Sequence, residues 1–213
     1  MNTLELSLEN EDKSLVFDLS EIDLNRINNY LAIRRYFELF IILILLPFFL
    51  TGFIVSFIIT LFSGIETVFF KQKRNGQNLK EFEIYKFRTM TQSEKGELYS
   101  PKLSSFLRKH RLDEIPQIFN ILKGDISLIG PRTEPIWYFN DIISKYPEYK
   151  FRFVIKPGLT GYAQVYYKHT VTVDDAIEKY YYDLYYLKNI SFLLDMKIIF
   201  RTIYVMLICN GDN

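Results

Sequence analysis

Apolar and polar residues change rhythm repeatedly along this chain, and each change predicts an element. Leu4, Leu6 and Leu8 alternate with polar residues, meet a charged turn and give way to a second apolar run, which predicts a small hairpin. Ser20 with Asp23 three positions on has the form of a helix start, and Ile27, Leu31 and Arg34 continue at helical spacing. From Leu39 to Phe62 the polar positions almost vanish. This run of about 24 uncharged residues is long enough to cross a hydrocarbon core of roughly 30 Å as a straight helix. Pro47 interrupts it, with Thr51 and Gly52 one turn later, and a break there leaves arms of about 8 and 15 residues. Such arms reach only about 12 and 22 Å, so neither crosses alone. Arg34 and Arg35 precede the run, and Lys71, Lys73 and Arg74 follow it. The positive-inside rule then marks both ends as cytoplasmic and predicts a re-entrant hairpin, with a tilted, Pro-kinked spanning helix as the alternative.

Beyond the membrane segment, two β-prone stretches flank Asn75-Gly76 and predict a β-hairpin ending in a strand over Phe82 to Met90. Residues 101–122 read as helical, 126–129 as a short apolar strand or turn, and 134–146 as an aromatic-rich helix. Pro157, Gly158 and Gly161 predict a loop that leads into a short strand. Tyr180, Tyr181, Tyr182, Tyr185 and Tyr186 then crowd together ahead of a long apolar stretch carrying Asp195, Lys197 and Arg201. Those charges argue against a second spanning helix and favour aromatic amphipathic helices at headgroup level; a tyrosine-rich core helix is the plainer alternative. The fold class is α+β and mainly helical. The pattern predicts an acidic accessory segment over residues 1–30, a re-entrant membrane helix over 31–66 and a further domain over 67–213 that would carry any catalysis.

Charge and rare residues narrow the chemistry. The formal net charge of +1 argues against a nucleic-acid partner, but it hides an asymmetry. Residues 1–25 hold seven acids against Lys13, which leaves the remainder basic by about seven charges, suited to anionic lipid or phosphate-bearing substrates. Cys209 is the single cysteine, and His110 and His169 are the two histidines, so a disulfide, a cysteine-rich zinc site or a His-based triad has little material. Catalysis must rest on carboxylates and basic residues.

"RLDEIPQIFNILKGDISLIGPR", residues 111–132, places Asp113 beside Glu114. Helix neighbours point about 100° apart, so these two are not a simple acid/base pair sharing one face. Pro116 fits only the first turn of a helix, which sets Asp113 near a helix N-terminus where anions are favoured. A bare N-cap aspartate is the plain alternative. Two diverging carboxylates can divide the work of phosphoryl transfer, one attacking phosphorus while the other holds a hard divalent cation. Arg88, Arg108, Lys123, Arg132 and Lys156 offer cations for the developing charge, and Gly124, Gly130, Gly158 and Gly161 allow close backbone approach to phosphates.

Together "YKFRTM", "LDEIPQIFNILKGDISLIGPR", "KPGLTGYAQV" and "YDLYYLKNISFLLDMKIIFRT" resemble the bacterial sugar transferases that start glycan assembly, the monotopic phosphoglycosyl transferases. The resemblance covers residues 34–208. It implies a membrane segment that enters and leaves on the cytoplasmic face of the bacterial inner membrane, broken at Pro47. It also implies a UDP-sugar donor, a polyprenyl phosphate acceptor and Mg²⁺. Asp113 would attack the β-phosphate, releasing UMP, and the acceptor would then take the phospho-sugar. Glu114, with Asp113, would bind Mg²⁺; Arg88, Arg108, Lys123, Arg132, Lys156, Gly161 and Gln164 would bind substrate, and Asp125 would order the Gly-Pro-Arg loop. Membrane lipids are implied partners, and a homodimer stays open.

The chain departs from the family pattern at Thr133 and Tyr162, where proline and tryptophan are common, and in the segment after Val165, which leaves the sugar unassigned. Two other readings compete: a membrane phosphohydrolase in which water resolves the intermediate, and a non-catalytic scaffold for glycan assembly.

Overall fold

Asp23 fixes where the first helix begins: its carboxylate accepts from the Arg26 amide at 3.0 Å, satisfying one of the free N–H groups of the first turn. The computed structural model describes residues 22–92, 97–167 and 172–208, so Ser20 and the hairpin expected near Leu4 to Leu8 lie outside the described residues. Helix α1 (Leu24–Leu61) then runs for 38 residues with Pro47 inside it. The two separate arms expected from Pro47 are not seen in the backbone hydrogen bonding. Proline removes one amide donor, which a helix can absorb by bending, and the Thr51 hydroxyl bonds back to the Pro47 carbonyl at 3.0 Å, a contact that favours a bend. The most apolar 18-residue window of α1 has a mean hydropathy of 2.8, yet only 11% of it is buried, which sets it apart from the core helix of a soluble domain.

The rest of the protein grips α1 along its length. Near its start Ile27 is fully buried in the main core, so α1 crosses the boundary placed at residue 30. Midway, Ile42 packs with Ile118, Ile121 and Ile126. Farther on, a Cβ on Gly52 would lie 3.0 Å from Ile115 Cδ1, and the Phe53 ring sits 5.1 Å from Phe87 and 6.0 Å from Phe119.

Strands β1 (Phe69–Asn75) and β2 (Glu81–Phe87) form the expected antiparallel hairpin, with Phe69 opposite Phe87 and Phe70 opposite Lys86. Alternation places Ile84 and Lys86 on one face of β2, and Tyr85 and Phe87 on the other. A short antiparallel pair, β3 (Thr91–Gln92) and β4 (Leu98–Tyr99), precedes α2 (Lys102–Lys109). The helix expected over 101–122 is divided. Arg111 adopts a left-handed backbone, φ 54°, the chain makes a 3-10 turn at Leu112–Glu114, and Pro116 caps α3 (Gln117–Lys123) where its missing amide costs nothing.

Strand β5 (Ser127–Ile129) pairs in parallel with β6 (Gly158–Thr160), across the intervening α4 (Ile136–Lys145) and a 3-10 segment, Pro147–Val154. The approach is too close for side chains: a Cβ on Gly158 would sit 2.0 Å from the Gly130 nitrogen, and one on Gly161 would sit 2.1 Å from the Gly130 oxygen. Helices α5 (Tyr162–Tyr166), α6 (Val173–Asn189) and α7 (Phe192–Ile208) complete the fold, mainly helical with three small two-stranded sheets among the described residues.

Helix α6 is a core helix, and here the plainer alternative for the tyrosines holds. Tyr180, Tyr181 and Tyr186 are buried with Leu184 and Leu187 against Tyr149 and Phe153, Tyr182 is half-buried, and of the five tyrosines only Tyr185 is exposed. The exposed apolar face belongs to α7, through Phe192, Leu193, Phe200 and Tyr204. Inside the core, Arg152 pairs with Asp183 at 2.5 Å, both side chains 1% exposed, and the guanidinium lies 4.6 Å from the Tyr149 ring centroid.

Removing one partner of such a pair strands a buried charge. Asp183→Ala is therefore expected to lower unfolding stability by roughly 3–5 kcal/mol, whereas the paired apolar change Arg152→Met with Asp183→Leu stays close to the parent. Thermal or denaturant unfolding in detergent micelles checks both.

Candidate active site

The adjacent carboxylates lie on the 3-10 turn Leu112–Glu114, where three residues per turn separate neighbours by about 120°. That turn follows the left-handed Arg111, a conformation that costs a non-glycine residue energy and clusters at working sites. Glu114 turns toward β2 and the loop after β5. Its Oε1 accepts from Lys86 Nζ at 2.6 Å and lies 3.5 Å from Arg132 Nη2. Burial opposes ionisation of Glu114, but Lys86 and Arg132 outweigh it and hold the carboxyl down at about 2. Asp113 has the opposite balance. Burial, reinforced by the Glu114 charge, pushes its carboxyl up to about 6 against the pull of Lys86 and Arg108. Two neighbouring acids are thus driven apart, one locked as an anion and one poised near neutrality.

Beside them a cleft is lined by Arg74, Lys86, Glu114, Gln117, Arg132 and Leu159. Among the charges that act on one another around the cleft, Arg74, Lys86, Arg108, Arg111 and Arg132 outnumber Asp113, Glu114 and Glu134, an excess that suits an anionic ligand. Arg74 is pushed down to about 10, chiefly by burial, and remains charged at neutral pH; its Nη1 donates to the Thr133 carbonyl at 3.0 Å and so anchors the loop bearing Arg132.

Of the residues singled out in the sequence, the structure gathers Asp113, Glu114, Arg108 and Arg132. Arg88 lies close by, its guanidinium 5.5 Å from the centroid of the Phe70 ring, which stands across the hairpin from Lys86. Gln164 reaches the cleft wall, donating to the Leu159 carbonyl at 3.2 Å, and Gly161 supports the same wall through its approach to Gly130. Lys123 and Lys156 are not brought to the carboxylates by any contact. Lys123 donates to the Tyr85 hydroxyl at 2.7 Å, on the other face of β2. Lys156 sits against Gly124, 3.1 Å from where a Cβ would be, and burial, then Arg35, lowers its pKa. Asp125 bonds differently from expectation. Its carboxylate accepts from Asn120 Nδ2 at 3.1 Å, and Asn120 in turn accepts from the Tyr85 amide and donates to the Glu83 carbonyl, so Asn120 ties α3 to β2 and Asp125 steadies its amide. The Gly-Pro-Arg loop is held instead by Gly130 to Thr160 at 2.9 Å, Gly158 to Pro131 at 3.0 Å, and Arg74.

Sequence reasoning missed Lys86 and Arg74. The signal for Lys86 was its strand parity with Ile84, which turns a lysine toward the protein rather than toward solvent.

Among the described residues no group of three or more His, Cys, Asp or Glu side chains forms a ready metal cage. Magnesium does not require one, because it commonly takes one or two carboxylates together with substrate phosphates and water. Asp113 and Glu114 meet that description: Lys86 and Arg132 both contact Glu114 through Oε1, which leaves Oε2 and the neighbouring Asp113 carboxylate as oxygen donors. The donor set therefore fits an ion that arrives with a phosphate ligand.

Relatives share this sequence at length. A UDP-N-acetylgalactosamine-undecaprenyl-phosphate N-acetylgalactosaminephosphotransferase of Aeromonas hydrophila is 35% identical over 187 residues, 84% of this chain and 44% of the relative. The exopolysaccharide production protein PSS of Rhizobium leguminosarum bv. phaseoli is 34% identical over 81% of this chain and 94% of its own length. A UDP-glucose:undecaprenyl-phosphate glucose-1-phosphate transferase of Klebsiella pneumoniae is 36% identical over 64% of this chain, but only 32% of the relative. The chain thus spans less than half of the Aeromonas and Klebsiella proteins. Residues 29–209 match the model of the bacterial sugar transferases, and with the paired carboxylates and the cationic cleft inside that span, the chain belongs to the bacterial sugar transferase family.

Proposed function

We propose that the protein transfers a sugar 1-phosphate from a UDP-sugar to polyprenyl phosphate through a covalent intermediate on Asp113. The observation that carries this reading is the opposed ionisation of neighbouring acids beside a cleft with surplus positive charge. Two relatives are named for transfer from a UDP-sugar to undecaprenyl phosphate, which supports the same donor and acceptor classes here.

In the first half-reaction an Asp113 carboxylate oxygen bonds to the β-phosphorus, the one bearing the sugar. The bond from that phosphorus to the bridging oxygen breaks, and UMP leaves with the oxygen and the electron pair. In the second, a phosphate oxygen of the polyprenyl acceptor attacks the same phosphorus. The aspartyl P–O bond breaks, the carboxylate is restored and a polyprenyl diphosphate sugar departs. Lys86 and Arg132 keep Glu114 anionic and, with Arg108, face the developing phosphoryl charge. Glu114, with Asp113, would hold Mg²⁺, which would supply charge neutralisation at the diphosphate oxygens.

A monotopic placement on the cytoplasmic face fits this chemistry, because the acceptor keeps its chain in the bilayer while the donor arrives from water. The packing of α1 supports it. Contacts run from Ile27 through Phe53, a stretch of roughly 40 Å at 1.5 Å per residue, so a straight spanning helix would carry the polar cleft and its cations into hydrocarbon. A bend at Pro47 and Thr51 lets both ends return to one face.

Asp113→Asn is expected to lose on the order of 10³-fold or more in turnover, and the parent protein incubated with donor alone gains the mass of a phospho-sugar on Asp113; peptide mass spectrometry and UMP release check both. Because attack needs the ionised carboxyl, kcat/KM for the donor should fall on the acid side with an apparent pKa near 6. Lys86→Met removes a charge that lowers the Asp113 pKa, so its acid limb should move to higher pH; a limb unmoved by the substitution would assign the ionisation elsewhere. For topology, cysteines placed at the exposed Asn29 and Lys73 in a Cys209→Ser background should both react with an impermeant maleimide from the cytoplasmic side. Labelling from opposite sides would show a spanning helix.

A further inference from the structure

A buried polar cluster at the start of α1 has no part in the chemistry above, yet its hydrogen bonds end on the strand that leads to Arg132. Arg34, Glu38 and Asp195 are 7%, 3% and 1% exposed. Arg34 Nη1 lies 3.1 Å from Asp195 Oδ2 and 2.6 Å from the Tyr186 hydroxyl, and the Tyr186 and Tyr30 hydroxyls both donate to Asp195, at 2.7 and 2.6 Å. This side of the cluster joins α1 to α6 and α7. The other side meets β5. Arg34 Nη2 donates to Ser127 Oγ at 2.8 Å and to the Ile129 carbonyl at 3.0 Å, while Glu38 Oε1 accepts from the Ser127 hydroxyl and from the Leu128 amide.

We infer that Arg34 and Glu38 are positioning residues for Arg132, holding β5 from the membrane-helix side so that the Gly130-Pro131 link presents the Arg132 guanidinium to the cleft. Only Gly130 and Pro131 separate the anchored Ile129 from Arg132, and both are fixed, one by Thr160 and the other by Gly158 and its own ring. Past Arg132, Arg74 holds the Thr133 carbonyl. The loop is thus pinned on each side of Arg132 by a guanidinium bonded to a backbone carbonyl, and the pin before it comes from α1. A core ion pair that served stability alone would need no such bonds to β5, since well-packed apolar residues do as well in that role.

The inference rests on the reading that Arg132 meets the donor phosphates, and the test separates the two. Arg34→Lys keeps the positive charge but gives up the forked contact to the Ser127 hydroxyl and the Ile129 carbonyl; Ser127→Ala removes only the hydroxyl shared by Arg34 and Glu38, leaves the bonds to the Ile129 carbonyl and the Leu128 amide in place, and serves if the first variant does not fold. Each is made alone and with Arg132→Ala, and kinetics are measured in micelles with thermal unfolding alongside. The expected result is a donor KM raised about fivefold or more in the single variants, an acceptor KM changed by less than about twofold, and no further rise when either is added to Arg132→Ala. Equal factors in both backgrounds, or a lowered unfolding temperature with an unchanged donor KM, would overturn the positioning role. An unchanged donor KM in Arg132→Ala alone would overturn the assignment of Arg132 itself, and the inference with it.

Discussion

Arg34 carries a full charge to a place that water does not reach, and a guanidinium there costs several kcal/mol unless neighbours replace its hydration. Those neighbours come from far apart in the chain: Glu38 on the same helix, Ser127 and Ile129 on β5, Tyr186 on α6 and Asp195 on α7. None can move without leaving a buried donor or acceptor unmet. This requirement brings the apolar first helix, the tyrosine-rich core and strand β5 to one point. Asp195, which in the sequence only argued against a second spanning helix, ties α7 to α1 and α6.

The same electrostatic logic operates near Glu114 with a different outcome. There the cations outnumber the anions, and the balance is left for a ligand to complete. On the proposed function, a phosphate-bearing substrate would enter as the missing partner of charges already held in place, which would keep reorganisation small. Asp113 gains from the arrangement indirectly: the pair locks Glu114 as an anion, and that anion adds to burial in keeping its neighbour close to the protonation balance point.

How much of this was legible in the sequence depended on whether the cause was local. The uncharged run of α1, the Asn75-Gly76 hairpin and the short strand at Ser127 are set by neighbours in the chain, and all were readable. Asp113, Glu114 and Arg132 stood out because their motif is compact. Lys86 did not, because a lysine on a strand is ordinarily a surface residue and only its parity with Ile84 marked it otherwise. The tyrosines misled through their number. Five of them wrap the helix, whereas the burial-determining set is Ala176, Tyr180, Leu184 and Leu187 at spacings of three and four. The i,i+4 spacing of Arg34 and Glu38 is local, but the other partners of Arg34, on β5, α6 and α7, and the Asn120 amide held by Asp125 are chosen by tertiary packing.

The grip on α1 at two separated places sets a rule for how this family member can vary. Glu38 is bound to β5, while Gly52 and Phe53 are seated against Ile115 and Phe87, and the helix between them acts as a ruler. Exchanging one apolar residue for another along it leaves the ruler unchanged. Inserting or deleting a single residue turns everything beyond by about 100° and shifts it by about 1.5 Å, so that Gly52 no longer meets Ile115 beside the turn that bears Asp113 and Glu114. Composition in this stretch is free to drift under lipid; its length is not.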